Sequence, residues 1–394
     1  MFKNDICVVG GGGHVGLPLS VAFANEGKNV IIYDINTDVL KSIAKRELPF
    51  MEEGMEPILS KVVNNKLKLT SNISDISSSK FVIIVIGTPV DKHLNPSFKT
   101  VKTFFDEIIN YLRDDQIIIL RSTLYPGLTR KLQKIIFSKG LKTRVTFCPE
   151  RILEGKAMEE LYSLPQIVSG FNKEAIETVK MLFENLTNDI VEVEPLEAEL
   201  AKLFTNTWRY IQFATANQFY MLAQRYDADF YRVHKTMTHN YKRTKGFPKA
   251  GFAAGPCLFK DCMQLAAFSN NTFFLGHSAM LVNEGLPNFL VKELEKEYNI
   301  DELTCGILGM AFKAESDDIR ESLSYKLKKI LEIKSDKVLC SDVYVKNTSF
   351  VSEKELIDNS DIILIGAPHD KYKQLFFNGK KVVDVWNHIP KENL

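Results

Sequence analysis

Residues 6–16 read Ile6-Cys7-Val8-Val9-Gly10-Gly11-Gly12-Gly13-His14-Val15-Gly16. A short apolar run of strand type enters a glycine turn, and the chain beyond Gly16 carries a helical pattern to about Gly27. The spacing Gly11-x-Gly13-x-x-Gly16 suits a strand–turn–helix junction, because glycines permit the tight turn and let backbone approach a ligand closely. A helix N-terminus attracts an anion, so a pyrophosphate is the group such a turn holds. The next apolar run, Val30-Ile31-Ile32-Tyr33, ends at Asp34, where an acid accepts hydrogen bonds from the adenosine ribose hydroxyls. Its charge would repel a 2′-phosphate, which points to NAD over NADP. A glycine-rich turn can be only a turn; strand, helix and acid in this order make the dinucleotide reading specific. His14 and Val15 lie inside the turn, His14 as a tolerated spacer.

Working outward, Phe81 to Ile86 is a third apolar run ending at Gly87-Thr88-Pro89, and Ile117 to Leu120 is a fourth ending at Arg121-Ser122-Thr123. Val145-Thr146-Phe147 is a fifth. Short apolar strands alternating with helical stretches indicate a buried parallel sheet. The C-terminal part repeats the grammar. Cys305 to Gly309 leads into a glycine turn, Lys337 to Asp342 ends in an acid, Asp361 to Ile365 ends at Gly366-Ala367-Pro368, and Lys381 to Val385 follows. Residues from about 195 to 295 carry no strand pattern. Leu200, Leu203, Phe204, Thr207, Ile211, Ala214, Met221 and Leu222 recur at near-helical spacing, so a long helix begins near Pro195, with Glu197 and Glu199 favourable at its positive end. The expected class is α/β, with two Rossmann-like parallel-sheet domains joined by a central long helix and helical segment. The expected divisions are 1–194 for NAD, 195–295 for the helical middle with its catalytic loop, and 296–394 for the second α/β domain.

A chain of 394 residues suits two or three domains, and 45% hydrophobic with 25% charged residues is a globular composition. A net charge of +1 gives no bulk attraction to nucleic acid or to acidic membranes. No apolar run is long enough to span a bilayer, and a strand pattern that begins almost at once leads us to expect no signal peptide. The six cysteines form no CxxC pair or dense framework, so a reducing cytoplasm is expected. No metal is expected.

The loop Gly251-Phe252-Ala253-Ala254-Gly255-Pro256-Cys257-Leu258-Phe259-Lys260-Asp261 places a Cys four residues before an Asp among small residues that let a ligand approach. Lys260 is placed to favour the thiolate. Taken alone, any one of six cysteines is more often a buried small hydrophobe, and Cys262 reads as such a core thiol. Joined to an NAD site, a nucleophilic Cys permits a four-electron oxidation in which an aldehyde is trapped on sulfur and oxidised to a thioester that water hydrolyses.

Over essentially its full length the chain resembles the UDP-glucose/GDP-mannose dehydrogenase family. The carrying segments are Gly11 to Gly16 with Asp34; Gly87-Thr88-Pro89; Ser122-Thr123 followed by Pro126-Gly127; Pro149-Glu150-Arg151 followed by Glu154-Gly155; Glu199-Leu200-Ala201-Lys202 followed by Asn206; the Cys257 to Asp261 loop; and Gly309-Met310-Ala311-Phe312-Lys313 followed by Asp318 to Ser322. The resemblance implies a homodimer built on the central helix and a C-terminal domain for the nucleotide diphosphate. It implies Cys257 as nucleophile and Lys202 with Asn206 as stabilisers of the oxyanion. Asp261, Thr123 and Glu150 are implied to position and deprotonate the attacking water. Thr88, Pro89, Ser122, Thr123 and Glu154 join the cofactor site. Glu150, Arg151, Lys202, Asn206, Gly255, Lys260, Phe312, Lys313 and Arg320 join the nucleotide-sugar site, with Arg243 matching an arginine that reaches a neighbouring subunit's substrate.

The chain departs from the family pattern at Ala253-Ala254, Pro256, Phe259, Gln218 and Asp342-Val343-Tyr344. Cys148-Pro149-Glu150-Arg151 and Asn206-Thr207-Trp208-Arg209-Tyr210 resemble the branch acting on UDP-N-acetylhexosamines such as UDP-N-acetylmannosamine. Cys257-x-x-Lys260-Asp261 and Glu154-Gly155 resemble the UDP-glucose branch, and GDP-mannose stands third. The implied activity is oxidation of the C6 alcohol to a uronate with two NAD per turnover, in the setting of polysaccharide biosynthesis. A one-step hydroxyacid dehydrogenase needs neither the Cys nor a second α/β unit. A catalytically silent nucleotide-sugar sensor would not need Cys257, Lys202, Asn206 and Asp261 together.

Overall fold

The computed structural model describes residues 2–87 and 98–394. The chain forms two compact units, Met1–Phe204 and Thr205–Leu394. In the first, strands β1 (Asn4–Val9), β2 (Val30–Tyr33), β3 (Leu67–Thr70), β4 (Ser79–Ile84), β5 (Ile117–Leu120), β6 (Arg144–Phe147), β7 (Gln166–Gly170) and β8 (Ile190–Glu192) make one sheet in the order β3-β2-β1-β4-β5-β6-β7-β8. Helices α1 (Gly16–Asn25), α2 (Thr37–Ala44), α3 (Met55–Val62), α4 (Phe98–Ile108), α5 (Leu128–Ser138), α6 (Ala157–Ser163) and α7 (Lys173–Phe183) lie between the strands in sequence.

Side chains alternate across a strand, so Ile6 and Val8 join one face of the sheet while Cys7 and Val9 join the other. Both faces are covered, which is why these strands read as continuous apolar runs. Each buried Val, Leu or Ile contributes about 1.5–3 kcal/mol relative to exposure. Strand order reverses between β1 and β4, the point at which open sheets of this kind bind ligands.

Three strands were not expected from sequence: β3, β7 and β8. The pairing of β6 with β7 is antiparallel, through Thr146 opposite Gly170 and Phe147 opposite Ser169, whereas an all-parallel sheet was expected. These segments are short and mix polar with apolar residues, as strands at a sheet's margins do.

Helix α8 (Pro195–Arg225) opens at Pro195, as its sequence predicts. Glu197 accepts the Glu194 N–H at 2.9 Å at the start of its own helix. Glu199 does otherwise: buried, it accepts the Gly127 N–H at 2.5 Å, the Thr129 N–H at 2.8 Å and the Thr129 hydroxyl at 2.6 Å. It therefore caps α5, whose first amides have no intrahelical partner, rather than supporting its own helix.

The second unit continues with α9 (Phe230–Thr238), α10 (Leu258–Phe268) and α11 (Phe274–Leu294). Strands β9 (Thr304–Leu308), β10 (Lys337–Ser341), β11 (Ile362–Ile365) and β12 (Lys381–Val383) then form a parallel sheet in the order β10-β9-β11-β12, with α12 (Leu323–Lys334) and α13 (Glu353–Asn359). Among the described residues no strand lies between β8 and β9. The α/β class with two Rossmann-like sheets agrees with the sequence reading. None of the described helices is long and apolar enough to cross a membrane.

Candidate active site

The glycine turn after β1 is shaped by close approach. A Cβ on Gly11 would stand 2.9 Å from the Val8 carbonyl oxygen, and one on Gly16 would stand 2.6 Å from the Gly11 Cα. Among the described residues, the nearest atom to a Cβ on Gly13 is the Gly10 carbonyl oxygen at 3.8 Å. A turn packed tightly at its ends and open at its middle, running into α1, fits a pyrophosphate lying on the backbone. Asp34 accepts the Gly12 N–H at 2.9 Å through Oδ2 and the Asn36 N–H at 2.9 Å through Oδ1. Each carboxylate oxygen keeps capacity for a further donor such as a ribose hydroxyl. His14 is more than a spacer in the packing: its ring stacks on Phe50 at 4.0 Å, and Nδ1 stands 3.9 Å from the Glu154 carboxylate. Val15 precedes α1 in a helical conformation. Thr88 and Pro89 lie outside the described residues.

Across the β5–β6 edge, Arg121 and Glu150 follow adjacent strands and form a buried ion pair. Arg121 also donates to Gln166 Oε1 at 3.1 Å, and its guanidinium lies 4.9 Å from the Phe183 ring centre. Glu150 Oε1 accepts the Arg151 N–H at 2.8 Å and the Ile152 N–H at 3.1 Å. Burial pushes the Glu150 carboxyl up, but the Arg121 charge, its hydrogen bond and the two amides outweigh burial and hold it below the usual glutamate range. Ser122 donates to the Ile86 carbonyl at 2.5 Å, and Thr123 is half-buried beside it. The Arg151 guanidinium donates to the Pro165 carbonyl.

The cysteine loop of the second unit is anchored at its start. Asn217 on α8 accepts the Gly251 N–H at 2.8 Å and donates to the Gly251 carbonyl at 3.0 Å, mimicking a strand partner. Asn217 also donates to Asn283 on α11 at 2.9 Å. Gly255 has φ +98, donates to the Glu321 carbonyl at 3.2 Å, and a Cβ there would stand 2.5 Å from the Phe312 ring. Cys257 immediately precedes α10 and is exposed, whereas Cys7, Cys148, Cys262, Cys305 and Cys340 are buried. Burial pushes the Cys148 and Cys262 thiols up to about 12 and Cys340 to about 11, with Thr207 partly offsetting this at Cys262. Anions formed at Cys257 lie at the positive end of a helix. Asp261, one turn on, is fully buried and accepts from the Asn206 amide at 2.6 Å, with Lys260 Nζ at 3.7 Å. Lys202, half-buried, stands one turn before Asn206 on α8.

The second sheet repeats the acid-and-turn device of the first. Asp342 Oδ2 accepts the N–H groups of Met310 at 2.5 Å and Ala311 at 3.0 Å, and Oδ1 accepts those of Tyr344 at 2.8 Å and Val345 at 2.9 Å. His369 accepts the Glu315 N–H at Nδ1, which leaves its proton on Nε2, 3.2 Å from Asp342. Burial pushes the Asp342 carboxyl up, and His369 and the amides bring it below the usual range. Fully buried and engaged on both oxygens, Asp342 holds the turn and has no capacity for ribose hydroxyls, unlike Asp34. Beyond that turn, Lys313 Nζ lies 5.9 Å from the Phe312 ring centre, and Arg320 forks onto Asp318 at 2.8 and 2.5 Å. Arg243 is exposed and donates to the Tyr241 hydroxyl at 2.8 Å. Sequence reasoning missed Arg121, Asn217, Asn283 and His369 as site supports; polar residues inside apolar runs were the available signal.

A dinucleotide turn in the first unit and a second Rossmann-like sheet in the other are features of an NAD-dependent dehydrogenase. Residues 4–187 match the NAD binding domain of the UDP-glucose/GDP-mannose dehydrogenase family, 196–284 its central domain and 306–391 its UDP binding domain. The chain belongs to this family of NAD-dependent oxidoreductases of nucleotide sugars. Among similar proteins, the UDP-N-acetyl-D-mannosamine dehydrogenase of Pyrococcus horikoshii is 29% identical, covering 92% of this chain and 89% of its own. The solved structure of UDP-D-ManNAc dehydrogenase from Pyrococcus horikoshii superposes with a TM-score of 0.89 at 27% identity, covering 98% of this chain and 96% of its own. A UDP-glucose dehydrogenase structure from Pyrobaculum islandicum, 24% identical with a TM-score of 0.89 over 97% of this chain and 94% of its own, shares the fold.

Proposed function

We propose that the protein is a UDP-N-acetylmannosamine 6-dehydrogenase that oxidises the C6 alcohol to the uronate through Cys257. The observation carrying this is that Cys257, alone of six thiols, is exposed, at the head of a helix whose next turn holds the Asn206–Asp261 pair. The names of the most similar proteins support the sugar. The Cys257-x-x-Lys260-Asp261 pattern keeps UDP-glucose as the second candidate.

When bound, NAD supplies the hydride acceptor, once for the alcohol and once more for the thiohemiacetal, so two are consumed per uronate. The glycine turn 11–16 and Asp34 hold the cofactor, with Ser122, Thr123 and Glu154 beside it. Thr88 and Pro89 belong to the same proposed site. After the first oxidation the Cys257 sulfur bonds the aldehyde carbon, leaving negative charge on the former carbonyl oxygen, which then takes the thiol proton. Lys202 and Asn206 stabilise the negative charge on that oxygen in the tetrahedral species. Loss of a hydride and a proton leaves the thioester. Water then adds to its carbonyl carbon, the C–S bond breaks, and the acid and free thiol result. Asp261, Thr123 and Glu150 position this water and accept its proton. Arg151, Gly255, Lys260, Phe312, Lys313 and Arg320 hold the nucleotide sugar, the cations against its diphosphate.

The proposed division of labour is 1–194 for NAD, 195–295 for dimerisation and catalysis, and 296–394 for the nucleotide sugar. Phe204, Trp208, Phe219 and Leu222 leave large apolar area exposed on α8, which supports a homodimer through that helix, with Arg243 reaching the neighbouring subunit's sugar. A cytoplasmic setting fits the buried reduced thiols. The test offers the purified protein NAD with UDP-N-acetylmannosamine, UDP-N-acetylglucosamine, UDP-glucose and GDP-mannose in turn. The highest kcat/KM is expected for the first; turnover of none of them overturns the proposal.

A further inference from the structure

Among the described residues, Arg121 with Glu150 is the ion pair of the first unit in which both side chains are buried, at 0% and 7% exposure. Burying two charges is costly, and a well-packed apolar pair of similar volume is often as stabilising or more so. The pair therefore calls for a reason other than stability, and its location supplies one. Both residues follow the C-terminal ends of adjacent parallel strands, the edge where such sheets bind ligands, with Thr123 two residues beyond Arg121.

The guanidinium is held from several sides: by Glu150, by Gln166 at the start of β7, and by the Phe183 ring at the end of α7. The carboxylate offers about four acceptor positions. The Arg151 and Ile152 amides occupy Oε1 and Arg121 occupies one side of Oε2, leaving capacity on Oε2 for one further donor. The other charged or titratable groups near Glu150 in this unit are Arg151, which Asp189 faces, and Cys148, whose thiol burial pushes up to about 12.

We propose that Arg121 is a positioning residue for the hydrolytic half of the reaction: it keeps Glu150 ionised and, with Oε1 held by the Arg151 and Ile152 amides, leaves Oε2 to accept the proton of the water used there. In that step the water oxygen bonds the carbonyl carbon, the C–S bond breaks toward sulfur, and the water proton passes to Glu150 and on to the departing thiolate. Without the guanidinium, burial would push the Glu150 carboxyl up, leaving less of it ionised to accept that proton.

The inference rests on the thioester route proposed above, and its test separates the two. Full-length wild type, Arg121→Gln, Arg121→Lys and Arg121→Gln/Glu150→Gln are compared for NAD binding, NADH formed in the first turnover, and uronate release from pH 5 to 10. Arg121→Gln is expected to slow uronate release at neutral pH by about tenfold or more, to retain the first-turnover NADH, and to recover toward alkaline pH as its acidic limb shifts upward. Arg121→Lys keeps the wild-type limb, and the double variant is slow throughout with no limb. An unshifted limb in Arg121→Gln overturns the inference, as does slowness at every pH equal to that of the double variant. Should Arg121→Gln fail to fold, Glu150→Gln is set beside the charge-neutral double variant: equal uronate release by the two supports the inference, and a further loss in the double variant overturns it. Wild-type protein that releases no uronate overturns the parent reading instead.

Discussion

The side-chain amide of Asn206 donates to the Asp261 carboxylate across 2.6 Å, joining α8 to the helix that Cys257 heads. Asp261 is fully buried, so this donor satisfies a polar group whose burial is otherwise costly. Asn206→Ala is expected to cost about 1–3 kcal/mol, read as a lower thermal midpoint. Asn206→Asp sets two carboxylates together, which is tolerable only while one is protonated. Its deficit in thermal midpoint is therefore expected to widen from pH 5 to pH 8; a deficit independent of pH would contradict this.

Glycines of the cofactor turn separate into two kinds. Gly16→Ala drives a Cβ to 2.6 Å from backbone and is expected to destabilise the first unit by about 1–3 kcal/mol. Gly13→Ala meets no described atom nearer than 3.8 Å to its Cβ and should melt like wild type. It should nonetheless lose NAD affinity, because the methyl enters the space given to the pyrophosphate. Calorimetric titration with NAD beside thermal melts distinguishes the two.

Asp34 both clasps Gly12 and is free to take ribose hydroxyls. Asp34→Ala is expected to weaken NAD by about 1–2 kcal/mol and to narrow its advantage over NADP. An unchanged ratio of the two dissociation constants would count against the assigned role.

Asp342 and Glu150 have carboxyl groups lowered in the folded state. A lowered carboxyl contributes stability that is complete above its unfolded value, about 3.9 for Asp and 4.3 for Glu, and is lost as pH falls through the folded value. Thermal midpoints should therefore fall below about pH 4. Asp342→Asn should be less stable at pH 7 and show a shallower acid dependence.

Much of the fold is legible because β1, β2, β4 and β9 to β11 read as apolar runs ending in glycine or acid, and β5 as an apolar run ending at Arg121. The margins β3, β7 and β8 are not, since Leu67-Lys68-Leu69-Thr70 and Ile190-Val191-Glu192 mix polar residues into short runs. Glu199 reads as an acid at its own helix start, yet its carboxylate serves α5, a long-range contact that spacing does not encode. In the sequence Arg121 is only the residue at which an apolar run ends; the folded sheet brings Glu150, Gln166 and Phe183 around it. Cys257 is one thiol among six until motif order singles it out; in the structure it is the exposed one.

Gly255 tests the loop that carries Cys257. Its φ of +98 and its seat against Phe312 disfavour any side chain. Gly255→Ala is expected to lower kcat by about tenfold or more through misplacement of the thiol, with NAD affinity retained; wild-type kcat would contradict this.

The most direct measurement counts NADH against uronate for wild type and Cys257→Ser with UDP-N-acetylmannosamine under saturating NAD. Two NADH per uronate from wild type, and no uronate from Cys257→Ser with NAD binding intact, is the predicted result. One NADH with an aldehyde or ketone product, or undiminished uronate from Cys257→Ser, would contradict oxidation through a Cys257 thioester.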